Sequence, residues 1–308
     1  MLRLLVPLLV VLLAACGSGT APAGDRARNS GGKLTVVTSF YPLQFVAARV
    51  GGSSVDVRSL TRPGAEPHDL ELTPRDVAAL SRSDVAVYLS GFQPAVDQAV
   101  AANGPRVVVD VAPAARLDLR YTPIEDGVPQ HRVGAHTDPH FWLDPTRLAA
   151  VAEVVADRLQ RADPAHAPFY RINLAALTRD LTALDGQLRK ELAGCAGTEL
   201  VTSHTAFGYL AERYGMRQVG ITGLSPESEP DPGQMARAAA FVRDHAVRTI
   251  YYEALVSPAL ARTIAAETGA RVAVLDPLEG LDDSSAGADY LEVMRSNLGI
   301  LRKGQPCP

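Results

Sequence analysis

The chain has 308 residues, a length that suggests two domains of about 150 residues, although one large domain is also compatible with it. Hydrophobic residues make up 47% and charged residues 21% of the sequence, which excludes a disordered, collagen-like or disulfide-dense miniature protein. The formal net charge is -4, and no cluster of basic residues occurs. A nucleic-acid partner is therefore not expected.

The N-terminus has the pattern of a bacterial export signal. A positive residue precedes an apolar run from Leu4 to Ala15, which is too short to span a bilayer. The run ends in Leu-Ala-Ala-Cys at Cys16, which resembles the lipobox and implies cleavage before Cys16 and lipidation of its sulfur. A secretory signal that happens to carry a cysteine is the alternative. We expect a signal peptide at 1–15, a flexible tether at 16–32, and an extracytoplasmic protein anchored to the cell membrane by Cys16.

Two cysteines remain besides Cys16, namely Cys195 and Cys307. An extracytoplasmic setting favours their pairing in a disulfide bond. Closing a loop of about 110 residues would stabilise the fold by up to about 4 to 5 kcal/mol. Two separate buried thiols are the alternative.

From Lys33 onward, short β-rich runs alternate with helical patterns, which is typical of β-α units around a mostly parallel sheet. In the first half we predict strands near Leu34–Thr38, Val55–Leu60, Val85–Leu89 and Arg106–Val111, with helices near Leu43–Val50, Pro74–Ser81 and Pro94–Ala102. In the second half we predict strands near Glu199–Thr202, Gln218–Thr222, Thr249–Tyr252 and Arg271–Leu275, with helices near Ala206–Tyr214, Gln234–His245, Pro258–Thr268 and Asp289–Arg302.

A long helical stretch separates the two halves. Apolar residues follow helical spacing from Leu148 to Leu159, and leucines recur at helical intervals from Leu177 to Leu192 after a start signal at Asp163-Pro164. About 30 helical residues would extend about 45 Å, enough to connect two domains. Two helices with a break near Asp185-Gly186 are the alternative. The predicted domains are an N-terminal α/β lobe at 33–163, a connecting helix at 164–194 and a C-terminal α/β lobe at 195–308.

Four potential metal ligands lie after predicted strands or just before a helix. His68 and His140 belong to the first half, and His204 and Asp276 belong to the second. In open α/β sheets, ligands bind beyond the carboxyl ends of the strands. Three imidazoles and one carboxylate suit tetrahedral zinc. Because the four residues are scattered along the chain, this pattern alone leaves the metal assignment open.

The sequence also resembles the metal-binding lipoproteins of bacterial ABC importers. Besides the lipobox, the resemblance is carried in order by Gly64–Asp69, Asp138–Pro145, Thr202–Leu210 and Leu275–Leu278. It implies two α/β lobes, each with a mostly parallel four-stranded sheet flanked by helices, joined by one long helix, with one metal ion between them. It also implies delivery of the metal to a membrane permease and its ATPase. We expect a monomer, and a metallochaperone is a further candidate partner.

Carried over by position, the metal ligands are His68, His140, His204 and Asp276. Members of the family that handle manganese typically have Glu in place of His204, so the sequence resembles the zinc branch, with Mn²⁺ as the alternative to Zn²⁺. Zinc-type relatives often have a His-rich loop before the second ligand. The loop at 117–139 holds only His131 and His136, so a strong metal-capturing role is not expected.

Glu66 and Glu253 are candidates to accept a hydrogen bond from a ligand imidazole, as metal sites generally require. Four protein ligands would close the zinc shell, which favours a binding receptor and assigns no catalytic residue. A zinc-dependent hydrolase would need an open coordination position, and the sequence has no His-Glu-x-x-His segment. A surface adhesin is a third class, and nothing in the sequence argues for or against it.

Overall fold

A computed structural model describes residues 32–121, 136–222, 230–253, 257–283 and 285–307. The predicted signal peptide, Cys16 and His131 lie outside these residues, so what the sequence indicates for them stays a prediction. Among the described residues, no helix combines the length and the apolar character needed to cross a membrane.

Strands and helices alternate along the described chain, as the sequence predicts. In order, they are β1 (Leu34–Thr38), α1 (Tyr41–Gly51), β2 (Val55–Ser59), α2 (Pro74–Arg82), β3 (Val85–Tyr88), α3 (Pro94–Asn103), β4 (Val107–Asp110), α4 (Ala112–Ala115), β5 (Arg120–Tyr121), β6 (His136–Thr137), α5 (Pro145–Ala162), α6 (Ala167–Glu191), β7 (Glu199–Thr202), α7 (Gly208–Tyr214), β8 (Arg217–Gly220), α8 (Pro232–Asp244), β9 (Thr249–Tyr252), α9 (Ala259–Thr268), β10 (Arg271–Val274) and α10 (Tyr290–Gly304).

Two four-stranded parallel sheets form the framework. The first has the strand order β2-β1-β3-β4, and the second has the order β10-β9-β7-β8. Parallel strands are connected by helical crossovers, and these helices cover the faces of the sheet. The central strands are therefore buried and appear in the sequence as apolar runs. The predicted fold class is therefore confirmed. The sequence did not predict the short helix α4 or the antiparallel pair β5 and β6.

Helices α5 and α6 connect the two sheets. Helix α6 is continuous over 25 residues, about 37 Å, and Gly186 lies inside it, so the alternative of two helices with a break near Asp185-Gly186 is wrong. It begins at Ala167, after a short turn of 3₁₀ helix at Pro164–His166. Asp185 is buried, and its carboxylate accepts hydrogen bonds from Arg213 and Tyr214.

One hydrophobic cluster includes residues from both halves of the chain. It contains Leu34 of β1, Leu181 of α6 and Leu301 of α10, and α6 packs against α1, α5 and α10. The two sheets therefore share a core through the connecting helix. The residue limits predicted for the separate lobes stay predictions.

The C-terminus is fixed by a disulfide. Cys195 and Cys307 are bonded, with their Cα atoms 4.4 Å apart, which confirms the predicted pairing. The bond ties the segment after α10 to the turn between α6 and β7.

Candidate metal centre

Three loops at the carboxyl ends of elements from both halves each carry one histidine. His68 lies between β2 and α2, His140 lies between β6 and α5, and His204 lies two residues after the end of β7. In the first loop Gly64 has a positive φ of 71°, a conformation that glycine adopts without strain. A side chain at Gly64 would also come within 3.1 Å of the Asp282 carboxylate.

The three imidazoles converge on the carboxylate of Glu279. Each of the four side chains offers one ligand atom, and these atoms all lie within 4.8 Å of one another. Glu279 Oε1 is 3.1 Å from Nε2 of His68, 2.9 Å from Nε2 of His140 and 3.6 Å from Nε2 of His204. His140 and His204 are fully buried, and the His68 side chain is 11% exposed. Four donor atoms thus face one point inside the protein.

Acidic side chains hold the other ring nitrogen of two histidines. His140 Nδ1 is 2.7 Å from Asp138 Oδ1, which also accepts the His140 backbone N–H at 2.9 Å. His204 Nδ1 is hydrogen-bonded to Glu253 Oε1, and Ser203 Oγ also donates to this carboxylate oxygen. A proton on Nδ1 leaves the Nε2 lone pair free to bind a metal. The sequence analysis identified Glu253 as a candidate for this role but not Asp138. The feature that could have identified Asp138 is its position, two residues before His140.

Glu66 acts on the backbone of its loop. Its Oε2 accepts the N–H of His68 at 2.9 Å and the N–H of Asp69 at 3.3 Å, and its Oε1 lies 3.9 Å from His68 Nε2. Burial raises the pKa of Glu66, and the neighbouring His68 opposes this rise. Glu66 therefore shapes the turn that carries His68.

Asp276, which the sequence predicted as the fourth ligand, lies outside the group of four. Its Oδ1 accepts the backbone N–H of Leu278 at 2.7 Å. Leu278 has a positive φ of 58°, and the chain after it brings Glu279 to the three histidines. The sequence pattern pointed to the carboxylate directly at the end of the strand, Asp276, and did not identify Glu279. The sequence feature that could have identified Glu279 is that it is a second acidic residue in the same loop as Asp276.

The charges of the site fit a divalent cation. Burial by itself lowers the pKa of His204, but the Glu253 and Glu279 carboxylates together outweigh burial and raise the pKa to about 10. Burial likewise lowers the pKa of His140, and Asp138 and Glu279 outweigh it, so that the pKa is raised. Burial raises the pKa of Glu279, but its bonds to the histidines hold that pKa well below its usual range.

One buried nitrogen of the site is available to bind a metal. Among the described residues, His204 Nε2 is buried and has no hydrogen-bond partner. An unsatisfied buried nitrogen is costly, and a metal ion bound there would satisfy it. Three imidazole nitrogens and one carboxylate oxygen form a donor set that suits tetrahedral zinc.

A family model described as zinc-uptake complex component A, periplasmic, matches residues 36–304 of the chain. The chain belongs to this family, called ZnuA. The family resemblance found in the sequence is thus confirmed. ZnuA-family proteins are solute-binding receptors located outside the cytoplasm.

Two curated relatives are about one-third identical to the chain. The high-affinity zinc uptake system protein ZnuA of Bacillus subtilis (strain 168) is 34% identical over 303 residues, which cover 95% of this chain and 93% of that protein. The zinc-binding lipoprotein AdcA of Streptococcus pneumoniae serotype 4 is 33% identical and covers 97% of this chain, but the chain spans only 60% of AdcA.

The crystal structure of the Zn(II)-bound ZnuA-like domain of S. pneumoniae AdcA shares the fold. The TM-score is 0.73 at 31% sequence identity, and the match covers 89% of this chain and 99% of that domain.

Proposed function

We propose that this protein is a zinc receptor that binds one Zn²⁺ ion through Nε2 of His68, His140 and His204 and a carboxylate oxygen of Glu279. The observation that carries the proposal is the convergence of these four donor atoms within 4.8 Å of one another in a buried site. Borderline nitrogen ligands favour zinc over manganese, which prefers oxygen. The zinc-bound relative of the same fold supports this choice of metal.

The donor set favours binding over catalysis. A catalytic zinc site usually has three protein ligands and keeps a position for water or substrate, whereas a site with four protein ligands is closed. Glu253, which could have served as a general base, is instead bonded to His204 Nδ1 and Ser203 Oγ. We therefore propose a receptor without hydrolytic activity.

Delivery of the metal to an ABC importer is part of the proposal. The family description, a component of a zinc-uptake complex, supports a membrane permease and its ATPase as partners of this chain. The Leu-Ala-Ala-Cys segment at Cys16, together with a relative named a lipoprotein, supports an extracytoplasmic protein held on the membrane by lipid. A Cys16→Ser variant should move from the membrane fraction to the soluble fraction, and retention in the membrane would contradict lipid anchoring.

We test the metal site by preparing the protein without its signal peptide and free of metal. Zinc content and zinc affinity are measured by elemental analysis and by competition with a chelator, with manganese as the competing metal. We expect one zinc ion per chain that manganese displaces poorly and that is lost in His204→Ala. The matched control is His245→Ala, because His245 follows α8 and its ring bonds to the carbonyl of Phe241. Absence of stoichiometric zinc, or unchanged binding in His204→Ala, would refute the site, and preferential binding of manganese would refute zinc as its metal.

A further inference from the structure

The backbone conformation at Leu278 is unusual for its residue type. Its φ of 58° lies in the left-handed region, and its side chain is fully buried. Residues with a Cβ atom rarely adopt this region, because the side chain crowds the backbone. A leucine stays there only when its surroundings fix it. The residue that follows is Glu279, the carboxylate of the proposed zinc site.

The segment before Leu278 is held by two side chains from other elements. The Trp142 indole N–H donates to the carbonyl of Pro277 at 2.7 Å. The Asn297 side chain accepts the Asp276 N–H at 3.0 Å and donates to the Asp276 carbonyl at 2.7 Å. These bonds fix the backbone of Asp276 and Pro277, and Trp142 belongs to the same segment as His140.

The Leu278 N–H has a different partner, the Asp276 carboxylate. Asp276 Oδ1 accepts this N–H at 2.7 Å, and the residue is only 7% exposed. This hydrogen bond closes the turn in which Leu278 is left-handed. If the turn opened, rotation at Leu278 would displace Glu279, whose Oε1 lies 2.9 to 3.6 Å from three imidazole nitrogens.

We propose that Asp276 is a positioning residue for the metal site: its carboxylate holds Leu278 in the left-handed conformation and thereby directs Glu279 to the three histidines. This inference rests on the proposed function and deepens it. Asp276 thus affects zinc binding without contacting the metal. It follows that an uncharged side chain able to accept the same hydrogen bond can replace it.

The test compares zinc affinity, measured by chelator competition, in Asp276→Asn, Asp276→Ala, Glu279→Gln and the double variant. The amide oxygen of Asn can accept the Leu278 N–H, so Asp276→Asn should bind zinc much as the wild type does. Asp276→Ala should bind about 10- to 100-fold more weakly, the range for supporting residues of metal sites. The double variant should bind no more weakly than Glu279→Gln, because Asp276 acts only through Glu279.

The visible spectrum of the cobalt(II)-substituted protein provides a second readout, which a general loss of stability would not change. Asp276→Ala should alter the ligand-field bands in the same direction as Glu279→Gln, while Asp276→Asn keeps the wild-type bands. If Asp276→Ala does not fold, Asp276→Ser replaces it, since a hydroxyl can accept the same bond but reaches less far, and intermediate affinity is expected.

Any one of three results would overturn the inference. The first is that Asp276→Asn binds zinc as weakly as Asp276→Ala, and the second is that the Ala and Ser variants bind zinc with wild-type affinity. The third is that the losses of zinc affinity are additive in the double variant. The first would show that the charge or direct ligation matters. A wild-type protein that binds neither zinc nor cobalt would instead refute the proposed function.

Discussion

Zinc binding is expected to weaken as pH falls, by an amount set by the protons on the ligand histidines. Burial opposes protonation of His204, but Glu253 and Glu279 together raise its pKa to about 10, so this imidazole is protonated near neutral pH when no metal is bound. The pKa of His140 is also raised, against the effect of burial, by Asp138 and Glu279. A ligand imidazole must be neutral, so zinc has to displace these protons.

The size of the effect follows from the number of protons displaced. One proton comes from His204, and His140 contributes up to a second. Each released proton makes the apparent affinity change about tenfold per pH unit. Zinc affinity should therefore rise between about tenfold and about a hundredfold per pH unit from mildly acidic to mildly basic solution.

Titration calorimetry at neutral pH counts these protons directly. The binding heat is measured in several buffers that differ in ionisation enthalpy, and the slope gives the number of protons released. We expect between one and two protons for the wild type. Glu253→Gln should release fewer, because the carboxylate that contributes most to raising the pKa of His204 is gone. Glu267→Gln, on the exposed face of α9, is the matched control and should keep the wild-type number.

A proton count near zero, or the same count in Glu253→Gln as in the wild type, would refute this reasoning. The stability of the metal-free protein gives an independent check of the direction of this pH dependence. The raised pKa of His204 stabilises the metal-free fold fully below the unfolded value of about 6.5, and this contribution is lost as pH rises through about 10. The increase in Tm caused by zinc should therefore grow with pH across the neutral range.

Three further outcomes are expected. His204→Ala should weaken zinc binding more than Glu279→Gln in chelator competition, because alanine removes a ligand whereas glutamine keeps an oxygen; equal losses would contradict the ligand assignment. Cys307→Ser should lower the free energy of unfolding, measured in guanidinium chloride, by up to about 4 to 5 kcal/mol. Its zinc affinity should be unchanged, because Cys195 lies before the start of β7 and His204 follows the end of that strand. A loss of zinc affinity would contradict this separation of the disulfide from the site. Solution scattering should show nearly the same radius of gyration with and without zinc, because α6 and the shared core oppose hinge closure; marked compaction would refute a rigid connection.

Much of the fold could be predicted from local sequence patterns. The eight strands of the two parallel sheets were placed within two residues of their observed limits, because buried parallel strands are short apolar runs between turn residues. The leucines of α6 recur at helical spacing for a similar reason, since one face of that helix is buried. The three histidines could be identified because each belongs to a recognisable segment beyond a strand or before a helix.

The fourth side chain of the site was decided by tertiary structure. Asp276 and Glu279 are both acidic and lie in the same loop, so the sequence offers no local reason to prefer Glu279. The choice depends on the left-handed backbone of Leu278 and on hydrogen bonds to that loop from Trp142 and Asn297. Trp142 is 135 positions from its partner in the sequence. The spacing of apolar residues depends on neighbours along the chain, so it can be recognised in the sequence. The direction of one side chain depends instead on contacts that form only when distant segments pack together.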